Sequence, residues 1–127
     1  MKYFELSEFD SPDAPGSGSN MDSNTLAMFD DARGIAGIIF RISSGYRTPE
    51  HNERVGGVPH SAHTLGYAAD IRLDGFTQAM VVRIIAALTV AGFRRIGLAG
   101  TFVHADNDPT KPSPAYWDYS GGQAHKV

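Results

Sequence analysis

Two histidines and one aspartate, His63, Asp70 and His104, constrain the fold of this chain more than any other feature of its sequence. Asp70 lies in an apolar run from Ala68 to Leu73, where burying an unpaired carboxylate would be unfavourable. Two neutral imidazoles and one carboxylate are the ligands of an open zinc site, which leaves a coordination position for water. Such a water can serve as the nucleophile of a hydrolase. We therefore predict a fold that gathers the three side chains around one zinc ion.

The segments around these residues have the patterns of strands joined by turns. Small residues surround Asp70, as in a tightly packed strand, and Gly66 allows the backbone to turn between the first two predicted ligands. From Phe102 to Asp106 the residue types alternate with a period of two, so Asp106 should share a strand face with His104. Asp106 is therefore predicted to be a neighbour of the metal.

Periodicity along the rest of the chain predicts an α+β fold. Three stretches have helical spacing or capping signals: 22–37, 50–55 and 80–91. Four short stretches are typical of strands: 38–42, 68–73, 93–98 and 101–105. The last two should form a hairpin that places His104 beside the strand of Asp70. Because the elements interleave without a regular βαβ order, we expect a small antiparallel sheet, flanked by helices, as the floor of a zinc cleft.

The length of the chain predicts one domain, residues 1–127, since 127 residues suffice for a single core but not for two. Gly, Ser and Pro residues predict a loop-rich N-terminal arm over 1–21, and three prolines predict an irregular C-terminal tail over 107–127. The tail carries three aromatic residues that could either hold a substrate or cover a hydrophobic edge: Tyr116, Trp117 and Tyr119.

Composition excludes several classes of protein. A net charge of -3 provides no basic surface for nucleic acid, and the absence of cysteine excludes thiolate ligands and disulfides. Met1 is not followed by a signal peptide, and no stretch approaches the roughly 18 apolar residues that cross a bilayer. We therefore expect a monomer, synthesised in the cytoplasm, that neither binds nucleic acid nor inserts into a membrane.

Three sequence blocks, in this order, resemble the zinc D-alanyl-D-alanine carboxypeptidases and related peptidoglycan peptidases of bacteria and phages. The blocks are 44–52 (SGYRTPEHN), 61–71 with its H-x6-D spacing, and 102–106 (FVHAD). The opening segment, 2–16, is similar to that of the small phage-type members. The resemblance extends over nearly the whole chain, to about Lys111.

This resemblance implies that His63, Asp70 and His104 are the zinc ligands, and that Arg47 and Ser61 hold the carboxylate and the backbone of the substrate. An arginine fork suits that role, since it can bind a carboxylate through two parallel hydrogen bonds. The implied substrate is a peptidoglycan peptide, cut either at a terminal D-Ala or in a cross-link, in an endolysin-like setting of phage lysis. Without a signal peptide, such an enzyme would reach the wall after release or as a phage component.

One position departs from the pattern of the family. Better-known relatives place Glu or Asp three residues before the last histidine ligand, as the general base, but this chain has Thr101 there. Other branches carry a histidine where this chain has Phe102. Asp106 is the first candidate for the base, and His51 or Glu50 are weaker ones. Alternatively, Asp106 orients the last histidine ligand, and zinc alone lowers the pKa of bound water to about 7.

Two further interpretations belong to other functional classes. Two histidines and one carboxylate also form the facial triad of non-haem iron oxygenases, although those sites usually lie in all-β barrels with a closer first pair of ligands. The stronger alternative is a zinc-containing cell-wall-binding module that is catalytically weak or inactive, which the missing acid at Thr101 would explain.

Overall fold

The computed structural model describes residues 1–119 and 125–126, which form a six-stranded sheet with two long helices packed against one face. The α-helices of the described residues are α1 (Ser23–Ala36), α2 (Pro49–Arg54) and α3 (Gln78–Val90). The strands are β1 (Ile42–Ser44), β2 (Ala68–Arg72), β3 (Arg95–Leu98), β4 (Phe102–Asp106), β5 (Ala115–Asp118) and β6 (His125–Lys126). The predicted α+β class is confirmed.

Local sequence signals set the ends of the helices. At the start of α1 the carboxylate of Asp22 accepts a hydrogen bond from the backbone N–H of Thr25, and Gly37 ends this helix in the left-handed conformation, with φ 64°. Thr48 caps α2 in the same way as Asp22 caps α1. The helix predicted over 80–91 is α3, which begins and ends slightly earlier. No helix among the described residues is long and apolar enough to cross a bilayer.

The first predicted strand, 38–42, needs correction. Most of this stretch is irregular, and the strand β1 begins only at its last residue, Ile42. Ile38 and Phe40 are buried in the hydrophobic core, but pairing with β2 starts where Ile42 meets Ile71. Apolar residues here therefore reflect packing and not strand pairing.

The sheet is mixed, which corrects the expectation of a wholly antiparallel sheet. The strand order is β1-β2-β4-β3-β5-β6, and β3 pairs with β4 as the predicted hairpin, but β5 runs parallel to β3. The cause is the path of the chain. Asp106 at the end of β4 and Ala115 at the start of β5 both pair with Arg95, from opposite sides of β3. The connecting loop therefore enters β5 at the same end of the sheet at which it left β4, and β5 runs in the direction of β3.

The C-terminal tail is more regular than its prolines predict. Residues 107–114 contain those prolines and form no strand, but Ala115–Asp118 forms β5. The signal for this strand is the aromatic pair Tyr116-Trp117, because aromatic side chains favour strands. Residues 120–124 and 127 of the predicted tail lie outside the described residues.

Alternation along the strands separates a core face from a polar face. Core positions on the three central strands include Ile71, Val103 and Ile96, which pack with α1 and α3 in one hydrophobic cluster. The neighbouring positions face the other way. Strand register aligns five of these neighbours in one row across the sheet: Ser44, Asp70, His104, Gly97 and Trp117.

The N-terminal arm is ordered by turns of 3-10 helix at Leu6–Phe9 and Ser17–Asn20. It supports the loop after β1, since the backbone N–H of Tyr46 donates to the carbonyl of Phe9 at 2.9 Å. Asp13 of the arm accepts a hydrogen bond from the hydroxyl of Thr48, 2.7 Å away. The arm therefore fixes the loop that enters α2.

We predict that Gly97→Ala destabilises the attachment of β5. A Cβ atom at Gly97 would overlap the indole of Trp117, so the indole must move. The free energy of unfolding should fall by about 1–3 kcal/mol, the usual range for overpacking. Urea unfolding followed by circular dichroism measures this change, and fluorescence reports on Trp117, the single tryptophan of the chain.

The matched control is Gly100→Ala, because a Cβ atom at Gly100 would meet no atom within 4 Å. Its unfolding free energy and its fluorescence should stay close to those of the unchanged protein. Equal stability of the two variants would show that Trp117 does not pack on Gly97.

Candidate metal centre

The three predicted ligands meet at the centre of the polar face of the sheet. Asp70 on β2 and His104 on β4 are paired residues, and His63 comes from the loop before β2. Oδ1 of Asp70 lies 2.9 Å from Nδ1 of His104 and 3.3 Å from Nε2 of His63. All three donor atoms lie within 4.8 Å of one another. The cluster is well shielded from solvent, with His63 3% and Asp70 6% exposed.

His63 is held in the tautomer that a metal ligand needs. Its Nδ1 lies 2.8 Å from the carbonyl oxygen of Gly45, which can only accept a hydrogen bond. Nδ1 therefore carries the proton, and Nε2 directs a lone pair towards Asp70. Burial lowers the pKa of His63 despite the opposing effect of Asp70, so its ring is neutral at neutral pH.

His104 lies between two carboxylates. Its Nδ1 faces Asp70, and its Nε2 lies 2.7 Å from Oδ2 of Asp106. Burial opposes protonation, but the hydrogen bonds to Asp106 and Asp70 outweigh it and raise the pKa of His104 to about 9. For Asp70, burial opposes ionisation, but the charges and hydrogen bonds of the two histidines hold its pKa well below the usual range.

The donor set fits a zinc ion. Two imidazole nitrogens and one carboxylate oxygen lie close enough to share one ion, and the other nitrogen of each histidine is hydrogen-bonded to an acceptor, as is usual for zinc ligands. Without a metal ion, a proton on Nδ1 of His104 fills the space between His104 and Asp70. A cation that binds here replaces that proton.

Asp106, the first candidate for the general base, lines the cavity, but other protein groups occupy both oxygens of its carboxylate. It is 1% exposed, and one oxygen contacts Nε2 of His104, on the outer side of the ring. The other oxygen accepts hydrogen bonds from Nε of Arg95 at 2.8 Å and from the backbone N–H of Asp108 at 3.1 Å. Because Asp106 shares a strand face with His104, it lies beside the ring of that histidine. It is two residues further along β4, however, and is not the residue that pairs with Asp70. This geometry matches the alternative, in which Asp106 orients His104.

Arg47 lies beside the cluster with part of its hydrogen-bonding capacity unused. Its Nε donates to the hydroxyl of Ser44 at 2.9 Å, and its Nη1 donates to Oδ1 of Asn52 at 3.2 Å. Its Nη2 lies 3.5 Å from Oδ2 of Asp70. A guanidinium has five N–H donors. Among the described residues, two of these donors therefore have no partner.

Ser61 and the cluster share one cavity with Arg47, of about 460 Å³. The hydroxyl of Ser61 accepts a hydrogen bond from the backbone N–H of His63 at 3.2 Å, which fixes the turn that presents this histidine. Among the described residues, neither His51 nor Glu50 lines this cavity. Thr101 is exposed in the turn between β3 and β4, whereas its neighbour Phe102 lines the cavity.

The sequence left two roles open for the aromatic residues of the C-terminal tail, and it did not single out Arg95. The ring of Trp117 packs against His104 with centroids 5.5 Å apart, and the guanidinium of Arg95 lies 5.4 Å from the centre of the Trp117 ring. Tyr119 lines the cavity, whereas Tyr116 is exposed. Alternation along β3 could have placed Arg95 on this face, since it precedes Gly97 by two positions.

Buried donors of this kind at a cavity are typical of metal-dependent hydrolases. A family model described as peptidase M15 matches residues 3–106, and the chain therefore belongs to this family of zinc D-Ala-D-Ala carboxypeptidase type. A comparison with curated proteins found no match. Membership confirms the family resemblance and supports, at the level of the family, a zinc peptidase that acts on peptidoglycan. It also favours zinc over the non-haem iron alternative.

We predict that His63→Ala abolishes stable zinc binding, since it removes one of three donors. The unchanged protein should retain about one zinc ion per chain after dialysis, as an open three-ligand site does. Elemental analysis of the dialysed proteins measures this content. His51→Ala is the control, because His51 lies on α2 outside the cavity, and it should keep its zinc. Equal zinc content in His63→Ala would refute the ligand assignment.

Proposed function

We propose that this protein is a zinc-dependent peptidase that hydrolyses an amide bond in peptidoglycan stem peptides, on substrates with a free carboxylate beyond the bond. The observation that carries this proposal is one cavity that holds both the donor cluster and the unused N–H donors of Arg47. A terminal D-Ala supplies such a carboxylate, which makes a D,D-carboxypeptidase the first candidate. An endopeptidase that cuts a cross-link is the second.

A zinc ion bound by His63, Asp70 and His104 would supply Lewis acidity for the scissile carbonyl and an activated water. Arg47 binds the carboxylate of the substrate through its two unused donors, which fixes the scissile bond relative to the cluster. Ser61 accepts from the His63 backbone, so its own hydroxyl proton stays available to a carbonyl of the substrate.

We do not assign proton transfer to Asp106, which the sequence made the first candidate for the general base. Asp106 holds the Nε2 proton of His104 and thereby directs Nδ1 towards the cluster, which makes it a positioning residue. Asp70 and Asp106 are the carboxylates that line the cavity among the described residues, and both oxygens of Asp106 are occupied by hydrogen bonds to His104, Arg95 and Asp108. We therefore assign no side chain as general base and attribute activation of water chiefly to the metal.

The setting that we propose is degradation of the bacterial wall by a phage-type, endolysin-like enzyme, after release from the cell or as a phage component. Its support is the similarity of segment 2–16 to the small phage-type members. In the described residues this segment contacts the loop of Arg47 through Phe9 and Asp13.

Cleavage of peptidoglycan tests the proposal. The zinc-loaded protein should release free D-Ala, or expose new amino termini, from purified sacculi and from a synthetic stem pentapeptide, as detected by mass spectrometry. Chelation should stop the reaction and added zinc should restore it. His63→Ala should remain inactive in both conditions. Binding to sacculi without any new product would instead support the cell-wall-binding module.

Asp106→Asn separates orientation of His104 from general-base catalysis. Loss of a carboxylate that is hydrogen-bonded to a histidine ligand typically lowers metal affinity by about 10- to 100-fold. At saturating zinc, kcat should then recover to within about tenfold of the unchanged enzyme, whereas loss of a general base costs about 100-fold or more. Competition with a chromogenic chelator measures affinity, and peptide hydrolysis measures kcat. Normal zinc affinity with a kcat reduced more than a hundredfold would return Asp106 to the role of base.

A further inference from the structure

Asn52 is a buried polar residue on α2 that none of the roles above includes. It is 4% exposed, and its side chain makes hydrogen bonds in two directions. Nδ2 donates to the carbonyl of Val58 at 2.8 Å, and Oδ1 accepts from Nη1 of Arg47 at 3.2 Å. Asn52 therefore joins α2, the loop that follows it and the guanidinium beside the cluster.

Both partners require the same orientation of the Asn52 amide. The carbonyl of Val58 can only accept a hydrogen bond, and the guanidinium of Arg47 can only donate. If the amide were turned over, its oxygen would face the Val58 carbonyl and its NH₂ group would face a cation. The position of Oδ1 is thus fixed from two sides, which makes it a rigid acceptor for Arg47.

The chain packs closely around this amide. A Cβ atom at Gly57 would overlap Oδ1 of Asn52 and lie 3.1 Å from Nη1 of Arg47. The backbone N–H of Gly57 donates to the carbonyl of Asn52 at 2.8 Å. Only a glycine leaves room for Arg47 and Asn52 to meet here.

The distance from Arg47 to Asp70 shows what this rigidity does. Charge-assisted N–H···O bonds are usually about 2.7–2.9 Å long, but Nη2 of Arg47 lies 3.5 Å from Oδ2 of Asp70. Asn52 and Ser44 hold the guanidinium from its other nitrogens. Without Asn52, the guanidinium of Arg47 could move closer to Asp70 and donate its remaining N–H groups to that carboxylate.

We propose that Asn52 is a positioning residue for Arg47, which keeps two N–H donors directed into the cavity and so gives the site its preference for substrates with a free carboxylate. The inference rests on the proposed function, because it concerns the same cavity. It extends that function by assigning selectivity for the carboxylate to a residue that does not contact the substrate.

Two peptides test this assignment, an acyl-D-Ala-D-Ala with a free carboxylate and the same peptide with a terminal amide. In Asn52→Ala, kcat/KM for the acid should fall by about 10- to 100-fold, mainly through KM, the range for losing charge-assisted hydrogen bonds. Turnover of the amide and the zinc content should change little. Asn24→Ala, at an exposed position of α1, is the control and should behave as the unchanged enzyme.

A second variant covers the case in which Asn52→Ala does not fold. Asn52→Asp has nearly the same volume, but its carboxylate would neutralise Arg47 and repel the carboxylate of the substrate. It should also lose preference for the acid. In a double-mutant cycle, Asn52→Ala should cost little more once Arg47 is already alanine, because the two act as a unit.

Equal losses for both peptides, or an unchanged preference for the acid, would overturn the assignment. Equilibrium binding of the acid peptide by calorimetry keeps the test independent of turnover. If the unchanged protein binds the peptide but does not cleave it, the proposed function fails. A Kd at least tenfold weaker in Asn52→Ala would then still support the role of Asn52, and an equal Kd would refute it. A protein that neither binds nor cleaves the peptide would overturn both.

Discussion

The antiparallel pairing of β2 with β4 is the interaction on which the rest of the site depends. It places Asp70 directly opposite His104, with Ile71 opposite Val103 on the core face. Since side chains alternate between faces, a slip of one residue would turn His104 into the hydrophobic core and bring Val103 to the polar face. The register that buries the core is therefore the same register that assembles the donor cluster, and neither can change without the other.

Charges of opposite sign alternate through the buried part of the site. Arg47 lies 3.5 Å from Asp70, His104 lies 2.9 Å from Asp70 and 2.7 Å from Asp106, and Asp106 lies 2.8 Å from Arg95. Each buried carboxylate thus lies between two groups that can be positive, which offsets the cost of its burial. A metal ion in place of the His104 proton keeps this order, because a cation again lies beside Asp70.

Local signals in the sequence predicted more of this molecule than long-range ones. The caps of α1 and α2 and the hairpin of β3 and β4 follow from spacing and residue type within short segments, whereas the three residues of the cluster were predicted from their donor types and from the family resemblance. The orientation of Asp106 could not be predicted, because it depends on Arg95 from another strand. Likewise, the parallel pairing of β5 depends on the path of a loop, and the role of Asn52 depends on a carbonyl that only the folded chain brings near.

One side of the cavity lies beyond the part of the chain that matches the family, because Lys111 and Tyr119 line it. The family match ends at residue 106, the last residue of β4, whereas Trp117 and Tyr119 come from β5 and the residue after it. Trp117 packs against His104 and over Gly97, and Tyr119 contacts Phe102 with ring centroids 5.8 Å apart. The donor cluster and Arg47 therefore belong to the part of the chain shared with the family. The shape of the cavity beside them depends on a segment beyond that match, so the fit of a particular peptide depends on residues that family membership does not specify.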